Sequence, residues 1–587
     1  MPASIDSFQV KVYQGDSAVL FAFDVAQADR AGLAGFAIQC TPQGQAPYWV
    51  PNRLTFDTPV HADAPLRAGR YADSIDAPFQ SFHWVHFPPH AAGQYRYTVH
   101  ARYFASTGPV RLETRATRTL DVVLKTPMTD WATVGMVRGY VSSQAFIDHY
   151  GGNTALAPDN RARAKSPLLY DTQPYLDKYA YLGATGRQLI IDLLNQCKAS
   201  DGYGIDVLAY DLDEPDILRA FAWLAQRGRK VRLIQDDSVD TGAPPTGHGT
   251  PDAFETQAVA LLEQAGAEVR RTHLARFQHH KAIQLRDAAG KPVRVLAGSA
   301  NFSLRGLYVQ ANSVLVFGQD AAQLYADVFD CLWDLIGGEG AAVSSSQVAA
   351  GFRKDALAAG WHPVPPTGTP RARFAFSPHQ TDALLTEAAD RVKNAASSVL
   401  FAVMATDGGG AMVDTLEHVV PQKAGLLSLG VIDKAGGVSA FAPGRGVPSQ
   451  TVSFAYLKDE APAPFKQEVD AGTGQHIHHK FVVCDFNGAQ PVVFCGSSNL
   501  SRGGEEQNGD SLIAIHDPAI VTAYAIEAVR LFDHYRFRAS QSKASAASPL
   551  VLKATDAWAD PYYDPHNIKF TERTLFAQST EQEAALA

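Results

Sequence analysis

Two stretches of this 587-residue chain read almost alike. Residues 278–287, QHHKAIQLRD, are followed by 294–303, RVLAGSANFS; residues 477–486, IHHKFVVCDF, are followed by 492–501, VVFCGSSNLS. In each copy a His-x-Lys opens one apolar run and a Gly-Ser-x-Asn closes another. Such runs, bounded by glycine and polar residues, read as buried strands. His279 and Gly298 lie 19 positions apart, and His478 and Gly496 lie 18 apart. Neighbouring strands joined by a short loop set each His-x-Lys beside its own Gly-Ser-x-Asn. On a strand, residues i and i+2 share a face, so His279 points with Lys281 and His478 with Lys480.

That grouping has a chemical reason. Cleaving a phosphodiester takes a nucleophile, an acid for the leaving oxygen, and donors for the phosphoryl oxygens. Two histidines can act as nucleophile and general acid. Lys281, Lys480, Asn301 and Asn499 can hold the charge that builds on the equatorial oxygens. The ammonium groups supply that charge, so neither a metal nor a cofactor is expected. A single His-x-Lys would say almost nothing; the duplicated set is specific.

Outward from these strings the chain alternates strand and helix. IDVLAY (205–210), EPDILRAFAWLAQRG (214–228) and KVRLIQDD (230–237) form a β-α-β series, repeated as SSVLFAVMA (397–405), AMVDTLEHVV (411–420) and GLLSLGVID (425–433). Two similar α/β halves follow from the repeat. TGAPPTGHGTP (241–251) reads as a loop within the first half, and HPVPPTGTPRA (362–372) as the linker between halves. Before them, FQVKVY, AVLFAFDV, YRYTVHARYF and TRTLDVVL alternate with period two and read as strands of a β-sandwich. The Gly and Tyr of AAGQYRYTV resemble a strand corner of immunoglobulin-like sandwiches. Phe79, Phe82, Trp84 and Phe87 suit its core or, alternatively, a binding face. His83, His86 and His90 do not share a strand face, which argues against a metal site there. The expected divisions are a sandwich at 1–126, α/β halves at 127–361 and 362–545, and a C-terminal extension at 546–587. Within the extension QSKASAASP reads as flexible, WADPYYDPHNIKF as a segment that docks back, and STEQEAALA as a mobile tail.

The paired strings resemble the HKD motif of the phospholipase D superfamily, His-x-Lys-x4-Asp followed by Gly-Ser-x-Asn. His478, Lys480, Asp485, Gly496, Ser497 and Asn499 match throughout. His279, Lys281, Gly298, Ser299 and Asn301 match, but Arg286 stands where the acid is expected, and Asp287 is one position late. The resemblance covers roughly residues 127–545 and implies two phospholipase D-like α/β halves packed as a pseudo-dimer. One histidine then attacks phosphorus to give a phosphohistidine, and the other protonates the leaving alcohol. His279 is the expected nucleophile and His478 the expected acid. The family often carries an Asn-x-Glu-like pair that orients a histidine. Asn508-x-Asp510 is the second half's version, with Asp510 expected at the ring of His478, and Gln310-x-Asn312 is the first half's. Because both half-sites lie on one chain, a monomer suffices for the centre.

Other candidates carry a bland reading. Asp211, Asp213 and Glu214 end a strand and suit helix capping. The turn Asp407-Gly408-Gly409-Gly410 suits a plain strand-to-helix connection. Ser303 and Ser501 suit hydroxyl donation and strand termination equally. The expected substrate is a phospholipid or another phosphodiester, reached through a groove to which GLYVQ (306–310) contributes. A nuclease and a scaffold protein, recognising a partner through the sandwich, are the alternatives. A net charge of -9 weakens the nuclease reading, for which RGRKVR (227–232) and EVRRTHLAR (268–276) are the dense basic clusters. Five scattered cysteines, no secretory pattern at the N-terminus and no long apolar run point to a cytoplasmic protein.

Overall fold

A computed structural model describes residues 5–578 except 58–65, 68–70, 89–91, 106–110, 140–145, 147–148, 152–153, 159–166, 243–244, 339, 341–342, 405–408, 421–422, 424, 435–436, 442–449, 454–476, 542 and 545–549. His90, Asp407, Gly408, most of QSKASAASP and the tail from Ser579 lie outside the described residues.

Among the described residues the N-terminal strands pair antiparallel. Gln9–Gln14, Val19–Asp24 and His83–His86 make one sheet; Leu33–Pro42, Tyr48–Trp49, Gly93–Phe104 and Leu112–Leu124 make another. Alternation along Gly93–Phe104 puts Tyr95, Tyr97 and Val99 inside, where they share a core with Phe8, Phe21, Phe36, Phe79 and Phe82. Trp84 stacks on Phe79 at 3.6 Å. Trp558 and Tyr562 of the C-terminal extension enter the same core, with the Trp558 indole donating to the Leu33 carbonyl at 2.9 Å. WADPYYDPHNIKF therefore docks back. His83 bridges Asp533 (2.8 Å) and Glu572 (3.0 Å), whereas His86 meets the hydroxyls of Tyr48 and Tyr97. These two rings have separate structural partners.

The two α/β sheets repeat one order. In the first, Ala132–Val137, Asn312–Phe317, Pro292–Gly298, Ala282–Arg286, Gly204–Ala209 and Val231–Gln235 lie side by side, with Glu268–Arg271 at the edge. In the second, Ala372–Phe376, Ser511–Ile515, Val492–Gly496, Phe481–Cys484, Ser398–Met404 and Leu427–Lys434 occupy the matching places. Each half pairs the strands of its β-α-β series in parallel, Gly204–Ala209 with Val231–Gln235 and Ser398–Met404 with Leu427–Lys434, and in the first half Val231–Gln235 also pairs in parallel with Glu268–Arg271. One face of the first sheet packs on Leu176–Ala199, Pro215–Gln226 and Phe254–Ala265. Side chains of helices Gln319–Ile336 and Pro518–Gln541 join both sheets in one shared core that includes Phe317, Tyr325, Phe329, Phe374, Phe481 and Tyr524. That core fixes the halves against each other.

The segment 362–372 between the halves is partly built into the second sheet, where His362–Val364 pairs antiparallel with Ala372–Phe376. Among the described residues no helix is long and apolar enough to cross a membrane. All five cysteines are unpaired, and Cys40, Cys197, Cys484 and Cys495 are buried.

Candidate active site

Each His-x-Lys sits just before a central strand, at the seam between the halves. The adjacent segments bridge across it: Gln278 pairs with Gly509 and Ala311 with Ile477, both parallel. The His279 amide donates to the Gly509 carbonyl (2.9 Å), and the His478 amide to that of Ala311 (3.1 Å). The halves are thus joined at the His-x-Lys strings themselves.

The same crossing sets the rings. His279 Nδ1 lies 2.7 Å from Asp510 Oδ1, a carboxylate of the other half. His478 Nδ1 lies 2.9 Å from Asn312 Oδ1 and 3.1 Å from the Ser299 carbonyl, both of the first half. The expectation that Asp510 serves His478 is therefore corrected. Asp510 follows the strand Val492–Gly496 in sequence but opens Ser511–Ile515, beside Gly509, which bridges to the first half. In both rings Nδ1–H donates to a fixed acceptor, which leaves Nε2 as the nitrogen without a hydrogen.

Lys281 Nζ donates to the His279 carbonyl (2.7 Å) and Lys480 Nζ to the His478 carbonyl (2.9 Å). The Lys281 ammonium also lies 4.8 Å from the Tyr210 ring centre, and that ring meets His279 edge-on at 4.9 Å. The intervening residues point the other way: His280 bonds Gln278 and His479 bonds Glu527 (2.9 Å each). Burial and the neighbouring Lys281 and Lys480 ammoniums hold His279 well below the usual imidazole range. Burial, Lys480, Lys281 and then His279 do the same for His478. Burial lowers Lys281 to about 8; burial and the Lys281 charge push Lys480 well down. Burial raises Asp510 to about 6, opposed by Lys281. Two buried ammoniums side by side make the site suited to an anionic group.

The supporting residues divide by role. Ser299 Oγ donates to Asn312 Oδ1 (2.8 Å), and Ser497 Oγ accepts the Ser511 amide (2.9 Å) next to Asp510. Asn301 Nδ2 donates to Asp211 Oδ2 at 2.6 Å. Asn301 Oδ1 and Asn499 Oδ1 are buried without a protein partner. Gly298 (φ +152) and Gly496 (φ +130) are required: a Cβ there would sit 2.3 Å from the Ser313 carbonyl oxygen or 2.2 Å from that of Ser511. Gly496→Ala is expected to cost about 3 kcal/mol or more, from backbone strain plus the clash, read as a lower urea midpoint.

Asp485 holds a turn and does not touch the histidines. Its Oδ1 accepts the amides of Ala396 (2.9 Å), Ser397 (2.7 Å) and Ser398 (3.2 Å), and Oδ2 meets Arg391 (3.0 Å). Arg286, its counterpart, reverses the sign of the bridge. It pairs with Asp206 and, at 2.9 Å, with Asp330; Asp206 also takes Arg232 in a two-bonded grip at 2.7 and 2.8 Å. Asp206→Ala leaves two largely buried guanidiniums short of their partner. It is expected to destabilise the chain by about 3–5 kcal/mol in urea unfolding, with kcat per folded molecule unchanged.

Glu214 caps a helix through the Ile217 amide (2.7 Å), and Asp213 accepts the Leu304 amide (2.8 Å), as expected of such groups. Asp211 instead joins the site through Asn301. Ser303 and Ser501 each cap a short helix, through Gly306 and Gly504. GLYVQ does not form a groove: Leu307 and Tyr308 are buried, and Tyr308 stacks on Tyr179 at 4.0 Å. Four cations of the basic clusters are tied to protein groups, Arg229 to the Ser200 carbonyl (2.6 Å), Arg232 to Asp206, Arg270 to the Trp333 carbonyl and Arg271 to that of His248 (2.8 Å), while Arg227, Lys230 and Arg276 are exposed. His248, which lies 2.9 Å from Asp211, carries no signal in sequence, because a Gly/Pro-rich loop has no periodicity to interpret.

A family model described as cardiolipin synthase, PLD-like domain, matches residues 190–333 and 450–531. Those segments make a phospholipase D-like domain within a mixed α/β chain. Among solved structures it is similar to phosphatidylserine synthase of Haemophilus influenzae Rd KW20, at 10% identity over 68% of this chain and 92% of that one (TM-score 0.38). It is also similar to Nuc, a phospholipase D family member from Salmonella typhimurium, at 20% identity over 24% of this chain and 84% of that one (TM-score 0.20). A third similarity is to polyphosphate kinase from Porphyromonas gingivalis, at 13% identity over 58% of this chain (TM-score 0.33); the chain spans 46% of that kinase's length. No curated protein matches the sequence.

Proposed function

We propose that this chain is a phosphodiesterase of the phospholipase D type, acting on a phospholipid or another phosphodiester through a phosphohistidine. The observation that carries this reading is the crossed support of the two rings, Asp510 on His279 and Asn312 on His478. A carboxylate at Nδ1 favours the ring that becomes positively charged as it bonds phosphorus, so His279 is the nucleophile. The bound diester offsets Lys281 and Lys480 and lets His478 carry a proton on Nε2. The His279 Nε2 lone pair then forms the N–P bond while the P–O bond to the leaving group breaks, and that oxygen takes the His478 proton. Water next attacks phosphorus, returns a proton to His478, and breaks the N–P bond to release a phosphomonoester. Lys281, Lys480, Asn301 and Asn499 hold the phosphoryl oxygens throughout.

The ties of Arg229, Arg232, Arg270 and Arg271 to protein groups leave Arg227, Lys230 and Arg276 as the exposed cations of the two basic clusters, and with a net charge of -9 this favours a lipid or small diester over a nucleic acid. We assign residues 1–126, read as an immunoglobulin-like sandwich, to partner recognition, and the unpaired cysteines fit a cytoplasmic setting. The test is to incubate the chain in EDTA with phospholipid vesicles, plasmid and single-stranded DNA. Headgroup release that His478→Ala abolishes is the expected result. DNA cleavage without headgroup release reassigns the site to a nuclease, and no cleavage of any substrate overturns the enzymatic reading.

A further inference from the structure

Beside the histidine pair, and linked to it through the Asp211–Asn301 hydrogen bond, lies a second cluster whose other members take no part in the steps above. Asp211 follows the strand Gly204–Ala209, His248 sits in the Gly/Pro-rich loop, and Glu255 lies in the first turn of Phe254–Ala265. One ligand atom from each lies within 4.8 Å of the other two. His248 Nε2 is 2.9 Å from Asp211 Oδ1, and its Nδ1 is 2.9 Å from Asp236 Oδ1. Glu255 is only 4% exposed, and its Oε2 is buried with no hydrogen-bond partner. A buried carboxylate oxygen without a donor is costly unless a proton or a cation meets it.

The loop is shaped to hold the ring in place. Gly247 (φ +115) and Gly249 flank His248, and a Cβ at either would lie 2.4 Å from a backbone oxygen, of Ser238 or Asp237. The His248 carbonyl accepts from Arg271 (2.8 Å) and Thr256 (2.9 Å). A histidine whose second nitrogen donates to a carboxylate is the arrangement that fixes an imidazole for metal ligation, with Asp236 in the orienting role.

We infer that Asp211, His248 and Glu255 form a binding site for one divalent transition-metal ion of the zinc class. One imidazole nitrogen with two carboxylates suits that class and leaves a fourth position for water. Magnesium and calcium prefer six or more oxygens, which this donor set does not provide. The ion takes the place of the proton between His248 Nε2 and Asp211 Oδ1, and that proton goes to solvent. Asp211 Oδ2 stays on Asn301, so the ion braces the asparagine of the first half-site.

The experiment titrates Zn2+ by calorimetry into the full chain, stripped with EDTA and desalted, with Mg2+ as control. One Zn2+ per chain is expected, with a higher Tm on binding. Glu255→Gln and His248→Gln should each weaken binding about tenfold or more, whereas His279→Ala and His478→Ala should leave it unchanged. Glu255→Gln is nearly isosteric and keeps the test open where His248→Gln fails to fold. Absence of stoichiometric binding, binding that survives Glu255→Gln, or binding lost in His279→Ala overturns the site. Binding is read without turnover, so its failure leaves the phosphodiesterase reading untouched.

Discussion

His279→Ala is expected to lower phosphodiester turnover by about 10^4-fold or more, because the N–P bond cannot form. His478→Ala should lower steady-state turnover by a similar factor for a different reason. It keeps the nucleophile but has no acid for the leaving oxygen and no base for water. The two variants separate on a phosphoenzyme trap using labelled substrate with a good leaving group. His478→Ala should label and release slowly, and His279→Ala should not label. Label retained in His279→Ala and lost in His478→Ala would exchange the two roles. Asp510 beside His279 is why the first outcome is expected.

Asp510→Asn is expected to lower kcat by about 10^2–10^3-fold with little change in KM. The amide keeps the size of the side chain but not the charge that stabilises a cationic His279. The pH profile carries the sharper sign. Burial raises the Asp510 carboxyl to about 6, so the useful ionised form is lost as pH falls through that value. Wild-type kcat should therefore decline on the acid side of about pH 6, and Asp510→Asn should lack that limb. Asn312→Ala removes a neutral acceptor from His478, so a smaller loss without a change in this limb is expected. An acid limb retained in Asp510→Asn would assign it to another group.

The candidate site residues were legible in sequence because their signal is local. A His-x-Lys before an apolar strand places both side chains on one face, and the next strand returns a Gly-Ser-x-Asn beside them. Even the missing acid at Arg286 was visible. What that position does was not, since Asp206 and Asp330 come from strand and helix elements far along the chain. Asp211 was visible at a strand end, but local reasoning favours capping there, and only Asn301 and His248 draw it into the site. GLYVQ looked like a surface loop because nothing nearby in sequence reveals that Tyr179 covers it.

The duplicated strings, their strand periodicity and the β-α-β rhythm around them by themselves determined two α/β halves and one histidine–lysine pair in each. Only the tertiary structure decided that each half orients the other's histidine. Residue spacing encodes which side chains share a strand face, whereas the shared core of Gln319–Ile336 and Pro518–Gln541 sets how two sheets meet. That packing carries Asp510 to His279 and Asn312 to His478, and so makes two similar strings chemically unequal.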